Sequence, residues 1–221
     1  LLLAGVTIEN FFTRSIADMM EASFWNKVWM ILAAGFVLAG CASVKVDRMD
    51  SGETVDLSGR WNDTDSRLVS EEMISDVLVR PWLDRYRAGN GKDPVVIVGS
   101  VRNRSDEHIN TQTFVKDLER ALINSGDVEL VASGGERGEI RAERKDQAAY
   151  ASEATAKEEG EEIGADFMLQ GSISTISDRV EGKEVKFYQV NLELIDIQSH
   201  RKAWIGEKKI KKRVQRSRFG F

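Results

Sequence analysis

The stretch from Val95 to Ala132 leaves this chain few ways to fold. Val95–Val98 is a continuous apolar run rich in β-branched residues, the pattern of a strand buried in the middle of a sheet. Gly99–Asn110 is polar and reads as a loop. A helix begins near Asn110 or Thr111, where Phe114, Leu118 and Leu122 form one apolar stripe, widened by Val115 and Ala121. Gly126 stands where a left-handed residue closes a helix, and Val128–Ala132 reads as a second strand. Strand, helix and strand in so short a span imply a right-handed parallel crossover.

The flanking segments complete a single layer. On the N-terminal side, Asp63-Thr64-Asp65-Ser66 offers helix caps, and Val69, Met73 and Val77 recur at four-residue spacing beside Leu78. Pro81 ends or restarts that helix, with Trp82 and Tyr86 after it, and Ala88–Pro94 is a loop. On the C-terminal side, Gly134-Gly135-Glu136-Arg137-Gly138 reads as a turn, followed by helices near Arg137–Ala149 and Ser152–Ile163 that Gly164 closes. A third strand, Phe167–Ser174, leads into an antiparallel meander with a hairpin signal at Glu181-Gly182. Lys186, Tyr188, Val190, Leu192 and Leu194 alternate with Val185, Phe187, Gln189, Asn191 and Glu193, and the first set is expected to face the core. Asp196–Arg201 turns the chain into a last strand, Lys202–Lys211, carrying Trp204. The expected fold class is α/β: a single mixed sheet of about five strands, with a parallel βαβ start and an antiparallel meander end, covered by helices.

Ahead of this domain lies a different kind of segment. Lys27 precedes the apolar stretch Val28–Cys41, which stops at Leu38-Ala39-Gly40-Cys41. Positive flank, apolar stretch and small residues at a cut are the layout of a secretory signal, and the run is shorter than the ~20 apolar residues of a membrane span. Leu38, Ala39 and Gly40 are expected to be read by a signal peptidase, and the Cys41 thiol to take a diacylglycerol as a thioether. The tetrapeptide resembles the lipobox of bacterial lipoproteins, and Cys41 is the only cysteine in the chain. Because the chain begins with Leu1, Met19 or Met20 would give a compact signal peptide, and Leu1–Asp18 reads as an upstream extension. Ala42–Arg60 is polar, without periodicity, and reads as a tether that reaches at most about 65 Å when extended. The expected organisation is an extension and signal peptide over 1–40, a lipidated tether over 41–60, a globular domain over 61–212 and a basic tail over 213–221.

Chemistry is sparse. A single cysteine excludes a disulfide framework and a multi-cysteine zinc site. His108 and His200, the only histidines, fall in expected loops without metal-ligand spacing. Ser100, Ser105 and Ser133 lie near strand ends, none in a nucleophile-elbow sequence. Glu158-Glu159-Gly160-Glu161-Glu162 is dense in carboxylates but reads as the solvated face of a helix, and the glycine-rich turns lack phosphate-loop spacing. Catalytic, cofactor and metal residues are therefore expected to be absent. His200–Phe221 holds nine Lys/Arg against Glu207 alone, whereas Cys41–Ser199 is net acidic, a balance that argues against nucleic acid as a partner. The basic tail reads as a solvated segment able to touch an anionic surface. Trp82, Phe114, Phe167 and Trp204 read as core; Trp61, among polar residues at the tether boundary, reads as core or as an exposed anchor for a partner.

Several pieces resemble the LpoB family in order: Trp61-Asn62-Asp63, the strand Val95–Val98 with Asn103-Arg104, Leu118 and Leu122 before Asn124-Ser125-Gly126, and Gly164-Ala165-Asp166-Phe167-Met168-Leu169-Gln170-Gly171. Leu192-Glu193-Leu194-Ile195-Asp196 and Lys202-Ala203-Trp204-Ile205-Gly206 continue the match. The resemblance implies a domain like the N-terminal domain of TolB in a non-enzymatic outer-membrane lipoprotein facing the periplasm. Its implied partner is a bifunctional penicillin-binding protein, a peptidoglycan synthase of the cell wall, which it activates. It transfers no partner-contact residue. The best-known members have a long proline-rich tether, whereas Ala42–Arg60 is short and has no proline. Ala42 after the cysteine fits outer-membrane sorting. Two other classes stand beside this reading. A structural or assembly lipoprotein related to the curli secretion pore subunit would need long amphipathic hairpins, for which the Ser172–Lys211 strands read as too short and too charged. An enzyme of unrecognised chemistry would depend on His108 or His200.

Overall fold

The computed structural model describes residues 45–50, 52–152, 154–157, 160, 162–181 and 183–215. The chain divides into two units, Leu1–Asp50 and Ser51–Phe221. In the first, the described residues 45–50 are exposed and form no regular element. The second unit holds all the helices and strands described below.

Helix α1, Asp63–Leu78, is capped by Asn62, one residue ahead of the expected caps. The Asn62 side chain accepts from the Asp65 N–H and the Asp65 carboxylate accepts from the Asn62 N–H, a reciprocal box that satisfies two otherwise unpaired donors. Val69, Met73, Ile74 and Val77 form its buried face. Pro81 opens α2, Pro81–Asn90, and Trp82 is locked by its indole N–H donating to the Val77 carbonyl at 2.6 Å. Helix α3, Thr111–Ser125, ends on Gly126 at φ +71°, the left-handed region that a side chain would strain.

The sheet has five strands in the order β2-β1-β3-β4-β5. Strand β1 (Val95–Arg104) pairs in parallel with β2 (Glu129–Leu130) and β3 (Phe167–Val180). Strands β4 (Lys183–Asp196) and β5 (Lys202–Gln215) continue antiparallel from β3. The expected mixed sheet is thus present, with a parallel βαβ start and a meander end. Helix α1 packs on α3 and α3 on β1. Between helices and sheet, Phe114, Leu118, Ile173, Tyr188, Val190 and Leu192 are fully enclosed. The alternation along β4 falls as expected, with Tyr188, Val190, Leu192 and Leu194 inward.

Four readings change. Gly99–Asn110 is not all loop: β1 continues to Arg104 through an irregularity between Val98 and Val101. Among the described residues, the segment read as a turn and two helices contains one helix, α4, Gly134–Tyr150. Its first turn includes the glycines because Ser133 and Glu136 form a capping box, which outweighs the poor helix propensity of Gly134 and Gly135. Among the described residues of 152–163 none is helical, and Glu162, the described carboxylate of the acidic run, pairs with Arg141 at 2.7 Å. Finally, β3, β4 and β5 have 14 residues each. Length therefore does not distinguish them from barrel-forming hairpins, which need about 9–11 residues; their apolar face packed under helices does.

Candidate functional site

Two surfaces gather the polar residues that the core does not explain. The first is a seam where residues 55–60 run against β4 and β5. Lys212 donates to Asp56 and Asp65 at 2.6 Å each and to the Arg60 carbonyl at 3.2 Å. Asn62 holds the Val55 carbonyl at 3.1 Å and Asp56 at 2.8 Å, and the Tyr188 hydroxyl, whose one proton is shared between the Gly59 carbonyl and Glu107, lies 3.1 Å from that carbonyl. Gly59, at φ +66°, lies so close that a Cβ would stand 2.2 Å from Val214 Cγ2. Beside the seam, Glu107 accepts from Lys186, from the Tyr188 hydroxyl at 2.9 Å and from the Trp61 N–H at 3.3 Å. Hydrogen bonds to the domain are thus already made by Val55, ahead of Trp61, and β5 continues through residues 213–215.

Electrostatics follow burial in this seam. The hydrogen bond from Lys212 holds Asp56 below the usual carboxylate range, against weaker desolvation. Asp65 is pushed above it because burial outweighs the hydrogen bonds from Lys212 and Asn62. Burial lowers Lys212, but Asp56 and Asp65 together more than reverse it and leave the ammonium above the ordinary lysine value. Burial and the Glu107 carboxylate push the Tyr188 phenol up. All these groups hold one another, so the seam fixes residues 55–60 on the domain. Asn62→Ala removes both the α1 cap and the hold on Val55, and we expect a loss of about 1–2 kcal/mol in denaturant unfolding.

The second surface is the sheet face opposite α1 and α3. Residues in register share a face, so Arg102, Ser172, Asn191 and Glu207 form one row, and Arg104, Ser174, Gln189 and Lys209 the next. Arg102, Arg104, Gln170, Ser172, Asn191 and Glu193 line a shallow cavity of about 220 Å³ on this face. The irregularity at Gly99-Ser100 sets the phase. Val96 and Val98 face the core, and unbroken alternation would send Arg102 and Arg104 inward; one extra residue puts Val101 in the core and both arginines outside. Gly99 in the strand was the available signal for that bulge.

The remaining candidates scatter. His108 is exposed in the β1–α3 connection, and His200 sits at φ +60° in the β4–β5 turn. Ser100 is at the bulge, Ser105 hydrogen-bonds within its loop to Asn103 at 2.6 Å, and Ser133 caps α4. Among the described residues no His, Cys, Asp and Glu side chains cluster to hold a metal ion. Trp61 is half-buried, edge-on to Phe114 at 6.0 Å and tilted against Tyr188 at 5.7 Å, as a core residue would be. Leu38, Ala39, Gly40 and Cys41 lie outside the described residues, as do Glu158, Glu159, Glu161 and Gly182.

Compared with known proteins, the family described as peptidoglycan-synthase activator LpoB matches residues 65–210. No curated protein matches the chain. The solved LpoB C-terminal domain from Escherichia coli is similar at 20% identity, covering 67% of this chain and 99% of that one, with a TM-score of 0.42. The NMR structure of E. coli LpoB matches at 18% identity over 80% of this chain and 84% of that one, with a TM-score of 0.38. Lipoprotein GNA1162 from Neisseria meningitidis matches at 13% identity over 55% of this chain and 84% of that one, with a TM-score of 0.36.

Proposed function

The chain belongs to the LpoB family of peptidoglycan-synthase activators, and from that premise we propose that it is a lipid-anchored periplasmic regulator that binds and activates a bifunctional penicillin-binding protein. The observation that carries this reading is the extent of the family match, which runs from the first turn of α1 into β5. The family is one of activators, so the output of the domain is contact rather than catalysis. Cys41, once exposed by cleavage after Gly40, would hold the chain at the outer membrane through its lipid.

An activator of this kind must bind the active conformation of its synthase better than the inactive one, since equal affinity shifts nothing. A tenfold shift needs about 1.4 kcal/mol of differential binding, within reach of a few well-placed polar contacts. The seam contributes by holding residues 55–60 on the domain, so the sequence between Cys41 and the seam is at most Ala42–Thr54. That segment spans at most about 45 Å. The synthase domain that it meets must therefore approach the outer membrane.

Binding of the purified chain to purified bifunctional synthases, measured by biolayer interferometry, tests this reading. Saturable binding to at least one synthase is expected. Absence of binding to every bifunctional synthase of the same cell would overturn it.

A further inference from the structure

We infer that the open face of the sheet is the docking surface, and that Arg102 and Arg104 engage carboxylates on a protein partner; this rests on the proposed binding to a synthase. Both guanidinium groups are exposed, and neither has an ion pair or hydrogen bond among the described residues. Lys211 and Arg213, further along the same face on β5, are likewise exposed and without a partner there. Other cations are paired within the domain, Lys186 with Glu107, Lys212 with Asp56 and Asp65, Lys208 with Glu72, Arg87 with Asp93 and Asp127, while single unpaired ones such as Arg85 and Lys92 stand away from this face. Unpaired cations gathered on one face of a net acidic body select for an anionic partner.

The chemistry of the face favours a protein over a membrane. Glu193 and Glu207 interrupt the positive charge, each held by a lysine, Lys202 at 2.7 Å and Lys209 at 2.5 Å. Between them Gln170, Gln189 and Asn191 present amides that donate and accept. A uniformly anionic surface would meet those two carboxylates; a protein surface can match donors, acceptors and charges one by one. The opposite face is under α1 and α3, and residues 55–60 run along part of β5. Burying two arginines against carboxylates also suits the bulge, which spends strand regularity to turn them outward.

The test is the charge-reversed chain Arg102→Glu/Arg104→Glu against the same purified synthase, with Arg85→Glu on exposed α2 as control. We expect the double variant to raise Kd by at least ~10-fold, Arg85→Glu to leave it unchanged, and wild-type binding to weaken as salt rises. Both variants should melt with the wild type, because the side chains are exposed. If the double variant binds as tightly as wild type while folded, the docking face is elsewhere and the activator reading stands. If wild type binds no synthase, both readings fall. If the arginines instead drive binding to phosphatidylglycerol vesicles and not to the synthase, the face is a membrane contact and the inference is overturned.

Discussion

Glu107→Ala destabilises the domain by about 3–5 kcal/mol, the cost of leaving a buried charge without its partner. Lys186 and Glu107 expose 9% and 10% of their side chains, so the ammonium would lose its counter-charge where water cannot replace it. The same substitution frees the Tyr188 hydroxyl and the Trp61 N–H, two groups that join β4 to the start of the domain. Thermal melting should show a drop of roughly 10 °C. Glu107→Ala/Lys186→Met removes both charges together and should recover most of the loss, because an apolar side chain of similar length is at home in that environment. Equal instability of the single and double variants would assign the effect to packing instead.

Gly171→Ala is the other large effect. Gly171 lies in the central strand of the sheet, and a Cβ there would stand 2.1 Å from the Asn191 carbonyl oxygen and 2.6 Å from Leu192 Cδ2. The first of these atoms is backbone in the neighbouring strand, so relief requires β3 and β4 to separate. We expect a loss of about 3 kcal/mol or more by denaturant unfolding. Gly135→Ala is the matched control. Nothing lies within 4 Å of its Cβ position in α4, and the change should be neutral or stabilising by up to about 1 kcal/mol. A similar response at both positions would contradict the assigned packing of β3 on β4.

Local patterns carried most of the architecture in the sequence. The stripe Phe114, Leu118 and Leu122, the alternation through Tyr188, Val190 and Leu192, and the stop at Gly126 each follow from nearest-neighbour geometry, and each is found where the pattern places it. What was hidden depends on distant partners or on single irregular residues. Residues 55–60 look like free tether until Lys212, more than 150 positions away from Asp56, brings them onto the domain. The strand beyond Val98 looks like loop because the bulge at Gly99-Ser100 breaks its alternation. Helix α4 was displaced by its glycines, although Ser133 and Glu136 already spelled its cap. The open-face arginines were invisible for the same reason as the bulge: without its extra residue Arg102 and Arg104 fall on the wrong side of the sheet.

The LpoB family assignment accounts for a domain whose polar groups are spent on holding its own N-terminal segment and on one exposed face. Contact alone must then change the partner's rate. The direct measurement is glycan polymerisation by a purified bifunctional synthase, with the protein titrated to saturation. The rate should rise and plateau, and Arg102→Glu/Arg104→Glu at the same concentrations should leave it near the unassisted value. An unchanged rate at concentrations where the two proteins are bound would contradict activation by docking.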